Sequence, residues 1–131
     1  MGKPVARTEG TCMAFPDILN TPTPSGALVP IPYPNIAQLA DAQGASADVM
    51  AGGKPVILED SRIPTSSGGE AGTGGGATSG TFNQACTFTS CSRSVKANGK
   101  GIVRQLDRTA QNNDNAQGVV LAGLTSVLVG D

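Results

Sequence analysis

Three cysteines are the residues of this 131-residue chain with the clearest capacity for chemistry. Thiolates at Cys12, Cys86 and Cys91 could hold a metal ion, because structural zinc sites are built from such ligands. Those sites normally use four ligands, and the fourth ligand is missing here, since the chain has three cysteines and no histidine. Free thiols in a reducing compartment and a Cys86–Cys91 disulfide are the alternatives. We expect no bound cofactor.

Catalysis by paired acids is the second chemistry to consider. Glu59 and Asp60 adjoin, and Asp107 lies in a similar stretch, but a glycosidase also needs a cleft and usually aromatic platforms. The chain has only three phenylalanines and one tyrosine, and it has no histidine, which removes Ser-His and Cys-His catalysis and imidazole-bound zinc. Asp60 and Asp107 are better explained as turn caps or as partners of Arg62 and Arg108. The sequence predicts a protein that is not an enzyme.

A glycine-rich segment offers a third possibility. "GTGGG", residues 72–76, suggests a phosphate-binding loop, but that motif ends in Lys-Ser or Lys-Thr at the start of a helix. Neither pair is present. The surrounding region, residues 63–91, is therefore predicted to be a flexible Gly-rich loop.

A proline-rich segment precedes these residues in an N-terminal region, 1–45. "TPTPSGALVPIPYPN", residues 21–35, contains five of the nine prolines. Proline fixes φ and has no backbone N–H, so the segment cannot form a helix or a central strand. It predicts a rigid extended ribbon on a surface or along an edge. We assign this structural role to Pro22, Pro24, Pro30, Pro32 and Pro34. The alternative is that the segment is a docking ligand for a PxxP-reading module.

Two later segments repeat each other. "SADVMAGGKPVILEDSR", residues 46–62, and "SRSVKANGKGIVRQLDR", residues 92–108, share six of 17 positions. Gly52-Gly53 and Asn98-Gly99 interrupt short strands and supply the positive φ angles of a type I′ turn. Each segment is therefore predicted to be a β-hairpin.

A truncated third copy ends the sequence within residues 118–131, where "TSVLVGD" aligns with the first strand of the hairpins. Three small β units predict one domain over residues 1–131, with little helix and packing around an approximate three-fold axis. The stretch "IAQLADAQGAS" is predicted to be mostly irregular.

Charge and hydropathy limit the partners. The net charge is −1, and no basic stripe is present, which argues against nucleic acid and anionic membranes. The most apolar run, "GVVLAGLTSVLVGD", is too short and too Gly-rich for stable membrane insertion. The N-terminus lacks the apolar stretch of a secretory signal peptide.

Five successive motifs resemble PAAR-like proteins, the relatives of proline-alanine-alanine-arginine repeat proteins. These motifs are "GTCMAFPDILNTPTPSG", "VPIPYPNIA", "GGKPVILEDS", "SSGGEAGTGGG" and "VKANGKGIVRQLDR", and the resemblance covers nearly all of residues 4–118. It implies a small conical all-β domain with approximate three-fold symmetry. It also implies that one copy caps the trimeric spike, the valine-glycine repeat protein of a type VI secretion system or its counterpart in an extracellular contractile injection system.

The resemblance implies further properties. The cone would sharpen the spike for membrane puncturing and effector delivery, assembling in the bacterial cytoplasm and leaving at the tip of the apparatus. An effector carrier or adaptor, with the Gly-rich loop against its cargo, is the alternative function. Ordinary members bind zinc through histidines and a cysteine, whereas Gln105 and Gln111 occupy a stretch where relatives carry histidines. Nothing follows Asp131 in the sequence, which implies a tip without a fused toxin.

Overall fold

The fold is built almost entirely from antiparallel strands, as predicted for an all-β protein. A computed structural model describes residues 2–131, in which the only helical element is a 3-10 turn at Leu39–Asp41. The strands are β1 (Lys3–Val5), β2 (Thr11–Pro22), β3 (Leu28–Gln38), β4 (Met50–Ala51), β5 (Lys54–Pro55), β6 (Arg62–Ile63), β7 (Cys86–Phe88), β8 (Lys96–Ala97), β9 (Lys100–Gly101), β10 (Arg108–Gln111), β11 (Ala116–Val120) and β12 (Leu124–Val129).

One sheet of six strands, in the order β3-β2-β11-β10-β7-β6, forms the larger part of the fold. Its longest pair is β2 with β3, which runs in register from Thr11↔Gln38 to Pro22↔Leu28 with an irregularity between Ala14 and Asp17. The second part of the proline segment, from Leu28 onward, forms the edge strand β3, whereas Pro22 ends the neighbouring strand β2. The prediction of an extended edge segment is confirmed for Pro30, Pro32 and Pro34, but the segment is not one continuous ribbon, because the chain reverses in the turn at Pro24.

The prolines suit this edge position because, before the bridge between Ile36 and Ser67, β3 pairs only with β2. Pro30 and Pro32 pair with Asn20 and Ile18 of β2. Successive residues of an antiparallel strand direct their N–H groups alternately to opposite sides. The alternating prolines thus leave the N–H groups of the intervening residues for β2 and remove those that would face an incoming strand.

Replacing Pro30, Pro32 and Pro34 together with alanine is expected to lower the melting temperature by several degrees. Each proline in a compatible site stabilises by ~0.4–1 kcal/mol, because it restricts the unfolded chain. Thermal unfolding followed by circular dichroism measures the change, with the exposed-turn variant Pro24→Ala as the control. A triple variant that melts with the wild type would show that the ribbon does not brace the fold.

Two tight hairpins lie outside this sheet. β4 pairs with β5 through Ala51↔Lys54, and β8 pairs with β9 through Ala97↔Lys100. The turn residues have positive φ throughout: 58° and 82° at Gly52 and Gly53, and 54° and 77° at Asn98 and Gly99. These are the angles that a type I′ turn requires, so both predicted hairpins are confirmed.

The third unit is assembled from the two ends of the chain. β12 pairs with β1, and Val129 faces Lys3 in the way that Ala51 faces Lys54. The sequence supports the equivalence, because Gly-Lys-Pro-Val occurs at both residues 2–5 and 53–56. The third copy therefore has both strands of the hairpin motif, and its second strand comes from the N-terminus.

The three units close into a ring. The N–H of Ala6 donates to the carbonyl of Val103 (3.0 Å), that of Val103 to Ile57 (2.9 Å), and that of Ile57 back to Ala6 (3.0 Å). Isolated bridges repeat the same cycle as Val5↔Arg104, Leu58↔Ile102 and Arg7↔Val56. Three segments that each bond to the next define an approximate three-fold axis.

Two cores lie on opposite sides of this ring, because neighbouring residues of an extended chain point in opposite directions. The hairpin-side core comprises Val5, Ala51, Val56, Leu58, Ala97, Ile102 and Val129. The sheet-side core comprises Ala6, Cys12, Ala37, Leu39, Ile57, Ile63, Cys86, Phe88, Val103 and Val120.

The Gly-rich region differs from the flexible loop that was predicted. It contributes Ile63 to β6 and Cys86–Phe88 to β7, and its residues 74–77 are bonded to β2. The N–H of Gly74 donates to Asn20 (2.8 Å), and the N–H of Asn20 donates to Gly75 (2.9 Å). A side chain at Gly72 would collide with fully buried Leu19. The glycines are needed for close approach to β2, and they begin no helix that could bind phosphate.

Candidate functional site: a three-fold hairpin face

Only three positions of the repeated units carry the same residue in all three copies. Equivalent positions of the three units are assigned from the strand pairs. Ala51, Ala97 and Val129 are equivalent, because each pairs with the lysine of the Gly-Lys dipeptide in its own unit. The identical positions are Val49, Val95 and Val127; Gly2, Gly53 and Gly99; and Lys3, Lys54 and Lys100. Turn geometry accounts for Gly53 and Gly99, whose φ angles are positive. The valines and lysines need another explanation.

The three valines are similarly exposed. Val49, Val95 and Val127 have relative exposures of 38%, 36% and 39%. Each lies two residues before the buried Ala51, Ala97 or Val129, so strand alternation places each on the face that also packs into the hairpin-side core. We call the surface formed by Val49, Val95, Val127, Lys3, Lys54 and Lys100 the hairpin face. It presents an apolar side chain three times around the axis.

Side-chain hydrogen bonds tie each unit to the turn of the next. Ser46 Oγ bonds to Asn98 Oδ1 (2.6 Å), Ser92 Oγ donates to the Gly130 carbonyl (2.6 Å), and Arg7 Nη1 donates to the Gly52 carbonyl (3.2 Å). The donor and acceptor groups differ among the units, but each bond ends at the first residue of the two-residue turn in the next unit. The hairpins are therefore held in place relative to one another, which pre-forms the face.

A buried ion pair supports the second unit. The Arg104 and Asp107 side chains are 7% and 2% exposed, and Arg104 donates to Asp107 from Nε (3.0 Å) and Nη2 (2.9 Å). Arg104 Nη1 also donates to the Gly130 carbonyl (3.3 Å) and to Asp131 (3.1 Å). The hydrogen bonds that Arg104 donates to Asp107 raise the pKa of Arg104. This guanidinium thus links the second unit to the third.

The predicted acid–arginine pairs are partly wrong. Asp107 does cap a turn, since it accepts the Arg104 N–H (2.7 Å), but its ion-pair partner is Arg104 and not Arg108. Asp60 pairs with Lys100 (2.6 Å) and not with Arg62. Each expected arginine lies on the solvent side of its strand: Arg62 and Arg108 are exposed, whereas the residues that follow them are buried.

The three cysteines occupy two separate environments. Cys12 and Cys86 are fully buried in the sheet-side core, and Cys91 is half-buried with its thiol 3.2 Å from Glu59 Oε2. All three are free thiols. The hydrogen bond with Cys86 and burial raise the pKa of Cys12, while burial, followed by the hydrogen bond to Glu59, raises the pKa of Cys91. Each contact disfavours the thiolate that metal binding needs.

No group of three or more Cys, Asp or Glu residues within 2–131 is arranged to hold a metal ion. The structure therefore does not bring Cys12, Cys86 and Cys91 together as a ligand set. The two glutamines singled out by the resemblance have structural contacts instead. Gln105 donates to the Leu121 carbonyl (2.9 Å), and buried Gln111 donates to Asn35 (2.9 Å).

A buried carboxylate surrounded by amides was missed by the sequence analysis. Asp17 is fully buried, and it accepts hydrogen bonds from the side-chain amides of Asn115 (2.6 Å), Asn112 (3.2 Å) and Asn35 (3.3 Å). The amide oxygens are occupied elsewhere, for example by the Gln84 N–H on Asn112, so the amide nitrogens face Asp17. The amide nitrogens are hydrogen-bond donors, and donors stabilise a carboxylate but do not bind a cation.

This network joins distant parts of the chain. Asn115 also accepts the N–H groups of Thr78 and Ser79, which fixes the Gly-rich loop against β2. Residues 112–114 all adopt left-handed φ angles of 52°, 53° and 70°, a conformation that asparagine and aspartate tolerate best. The only local signal was "QNNDNAQG", a polar loop whose partners lie about 95 residues away.

The fold and the hairpin face define a class: a small all-β domain with three hairpin units closed around an axis. No helix within residues 2–131 is long and apolar enough to cross a bilayer. Residues 10–118 match the family model described as the toxin PAAR-like domain, and the chain belongs to this family. The prediction of a PAAR-like protein is therefore confirmed.

A longer relative is also similar to the chain. The DNase toxin Tse7 of Pseudomonas aeruginosa is 36% identical over 113 residues, which cover 80% of this chain and 29% of that protein. The chain thus spans less than a third of the length of this curated relative. No solved structure matches the chain.

Proposed function

We propose that the protein is the structural tip of a trimeric injection spike and that the hairpin face is its docking surface. The observation that carries the proposal is the exposure of the same residue, valine, at the same position of three units around one axis. A single chain meets a three-fold partner without a symmetry mismatch only if it repeats its contacts three times. The spike would be the valine-glycine repeat protein of a type VI secretion system, or its counterpart in an extracellular contractile injection system.

The contacts around the face suit a rigid cap. Each hairpin is bonded to the next, and each valine lies two residues before a residue of the hairpin-side core. A pre-formed surface loses little conformational freedom on binding, which favours association. The tip would assemble with the spike in the cytoplasm and leave the cell with it, so that the side opposite the hairpin face meets the target membrane.

Replacing Val49, Val95 and Val127 together with aspartate is expected to abolish association with the co-expressed spike. Burying three unpaired carboxylates costs several kcal/mol each, so affinity should fall by roughly 100-fold or more. Native mass spectrometry of the co-purified complex tests this, and the wild type should appear as one copy per spike trimer.

The matched control is Val29→Asp, which places the same charge at a valine of similar exposure, 41%, on the edge strand β3. It should leave the complex intact. A wild-type protein that stays monomeric beside the spike, or a triple variant that still forms the complex, would exclude docking through this face.

An effector carrier is the second candidate, and the relative favours it. Tse7 is named a DNase toxin and is more than three times as long as the matched segment, so the PAAR-like part corresponds to a fraction of that protein. In this role the chain would dock to the spike in the same way and hold cargo on its outer surface. The expectation of no enzymatic activity then applies to this chain, and the toxic activity would belong to the cargo.

A further inference from the structure

The lysines of the chain are confined to the hairpin units. The sequence has four, Lys3, Lys54, Lys96 and Lys100, and each lies in β1, β5, β8 or β9. The whole chain has a net charge of −1, so this concentration is not a consequence of a basic composition. The five arginines also lie in or next to the repeated segments, but none of them is in β1, β5, β8 or β9, and they include the buried Arg104.

Three of these lysines are equivalent under the three-fold arrangement. Each of these lysines faces one residue of the paired strand: Lys54 faces Ala51, Lys100 faces Ala97 and Lys3 faces Val129. The three lysines therefore lie on the same side of each hairpin as the valines. Lys96 differs, because it aligns with Met50 and Leu128 and points to the opposite side of its strand.

The fold itself does not account for this repetition. Lys54 and Lys100 are exposed and Lys3 is half-buried, and within residues 2–131 only Lys100 has an ion-pair partner, Asp60. A position that is solvent-facing yet identical in three units whose other positions diverge is most simply explained by a partner with the same symmetry.

We infer that Lys3, Lys54 and Lys100 are three equivalent docking points for carboxylates, which each subunit of the trimeric spike presents once at its end. This inference rests on the proposed function and adds the chemistry of the partner surface. Charges around an apolar contact mainly direct encounter and fix register, and their effect decreases with salt. The valines would supply contact area, and the lysines would select the rotational position.

The experiment compares charge-reversed proteins for binding to the purified cognate spike trimer at 50 mM and 500 mM NaCl. The triple variant Lys3→Glu/Lys54→Glu/Lys100→Glu is expected to bind at least tenfold more weakly at low salt, because three exposed ion pairs together contribute about that factor. The difference should shrink at high salt. A Lys3→Gln/Lys54→Gln/Lys100→Gln variant, which removes charge without adding repulsion, should show a smaller loss in the same direction.

Lys96→Glu is the matched control, to be compared with the single variant Lys54→Glu. The proposal expects a clear loss for Lys54→Glu and none for Lys96→Glu, and it expects partial recovery when spike-end acidic residues are changed to lysine. If the triple variants bind like the wild type while the valine variant does not, the lysine inference is overturned and the tip function stands. If the wild type ignores the spike but binds phosphatidylglycerol vesicles, the lysines serve a membrane and both proposals are overturned.

Discussion

Replacing Arg104 with alanine is expected to lower the free energy of unfolding by about 3–5 kcal/mol, because it leaves Asp107 as an uncompensated buried carboxylate. The same change removes the hydrogen bonds from the guanidinium to the Gly130 carbonyl, which keeps its bond from Ser92, and to Asp131. The third unit should therefore loosen along with the second. Urea unfolding monitored by circular dichroism measures the loss through the transition midpoint.

The exposed Arg108→Ala variant is the control for this prediction. Arg108 lies four residues away, and its guanidinium has no hydrogen-bonding partner within the described residues 2–131, so its removal should change stability by no more than ~0.5 kcal/mol. Equal effects of Arg104→Ala and Arg108→Ala would mean that the buried pair contributes nothing to the fold.

The first unit shows how the same turn is made without charge. Leu58 and Ser61 occupy the positions of Arg104 and Asp107, and Ser61 Oγ accepts the Leu58 N–H (2.9 Å) as Asp107 accepts that of Arg104 (2.7 Å). A double variant, Arg104→Leu/Asp107→Ser, should therefore be more stable than Arg104→Ala alone. Buried ion pairs are often replaceable by apolar groups when both partners change together.

The hairpins could be predicted from sequence because their cause is local. Gly52-Gly53 and Asn98-Gly99 meet the backbone requirement of a two-residue turn within four residues of chain, and no distant contact is needed to recognise it. The edge position of β3 follows in the same way from the missing N–H groups of its prolines. In each case the side-chain chemistry restricts the backbone directly.

The third unit illustrates the limit of such local analysis. Its strands are separated by nearly the whole chain, so a search for continuous repeats finds β12 and misses β1. The information was present in the sequence, as Gly-Lys-Pro-Val at both residues 2–5 and 53–56. A search that allowed the repeat to be circularly permuted would have found it.

Ion pairs and polar networks were less predictable because their partners are chosen by packing. Asp60 reaches Lys100 in the next unit, although Arg62 is only two residues away along the chain. The amides around Asp17 come from β3 and from the loop between β10 and β11. Composition identifies that loop as polar, but it gives no indication that Asn112 is buried.

Replacing Asp17 with asparagine is expected to lower the free energy of unfolding by about 3–5 kcal/mol. The substitution keeps the size of the side chain but puts an amide nitrogen among donors from Asn35, Asn112 and Asn115. Hydrogen bonds to a charged group contribute about 1.5–3 kcal/mol each, and a buried donor left without an acceptor costs a further desolvation penalty. Chemical unfolding provides the measurement.

Asp114→Asn makes the same chemical change on the neighbouring loop, at an exposed residue with left-handed φ that asparagine tolerates. It should be nearly neutral, so the difference between the two variants isolates the buried network from any general effect of losing one negative charge.

Hydrogen exchange shows which part of the structure the Asp17→Asn substitution destabilises. Because Asn115 connects Asp17 to Thr78 and Ser79, the Asp17→Asn protein should exchange its Gly-rich-loop amides faster than the Asp114→Asn protein. Unchanged protection in that loop would show that β2 holds it without the network, and the role assigned to Asp17 would then be wrong.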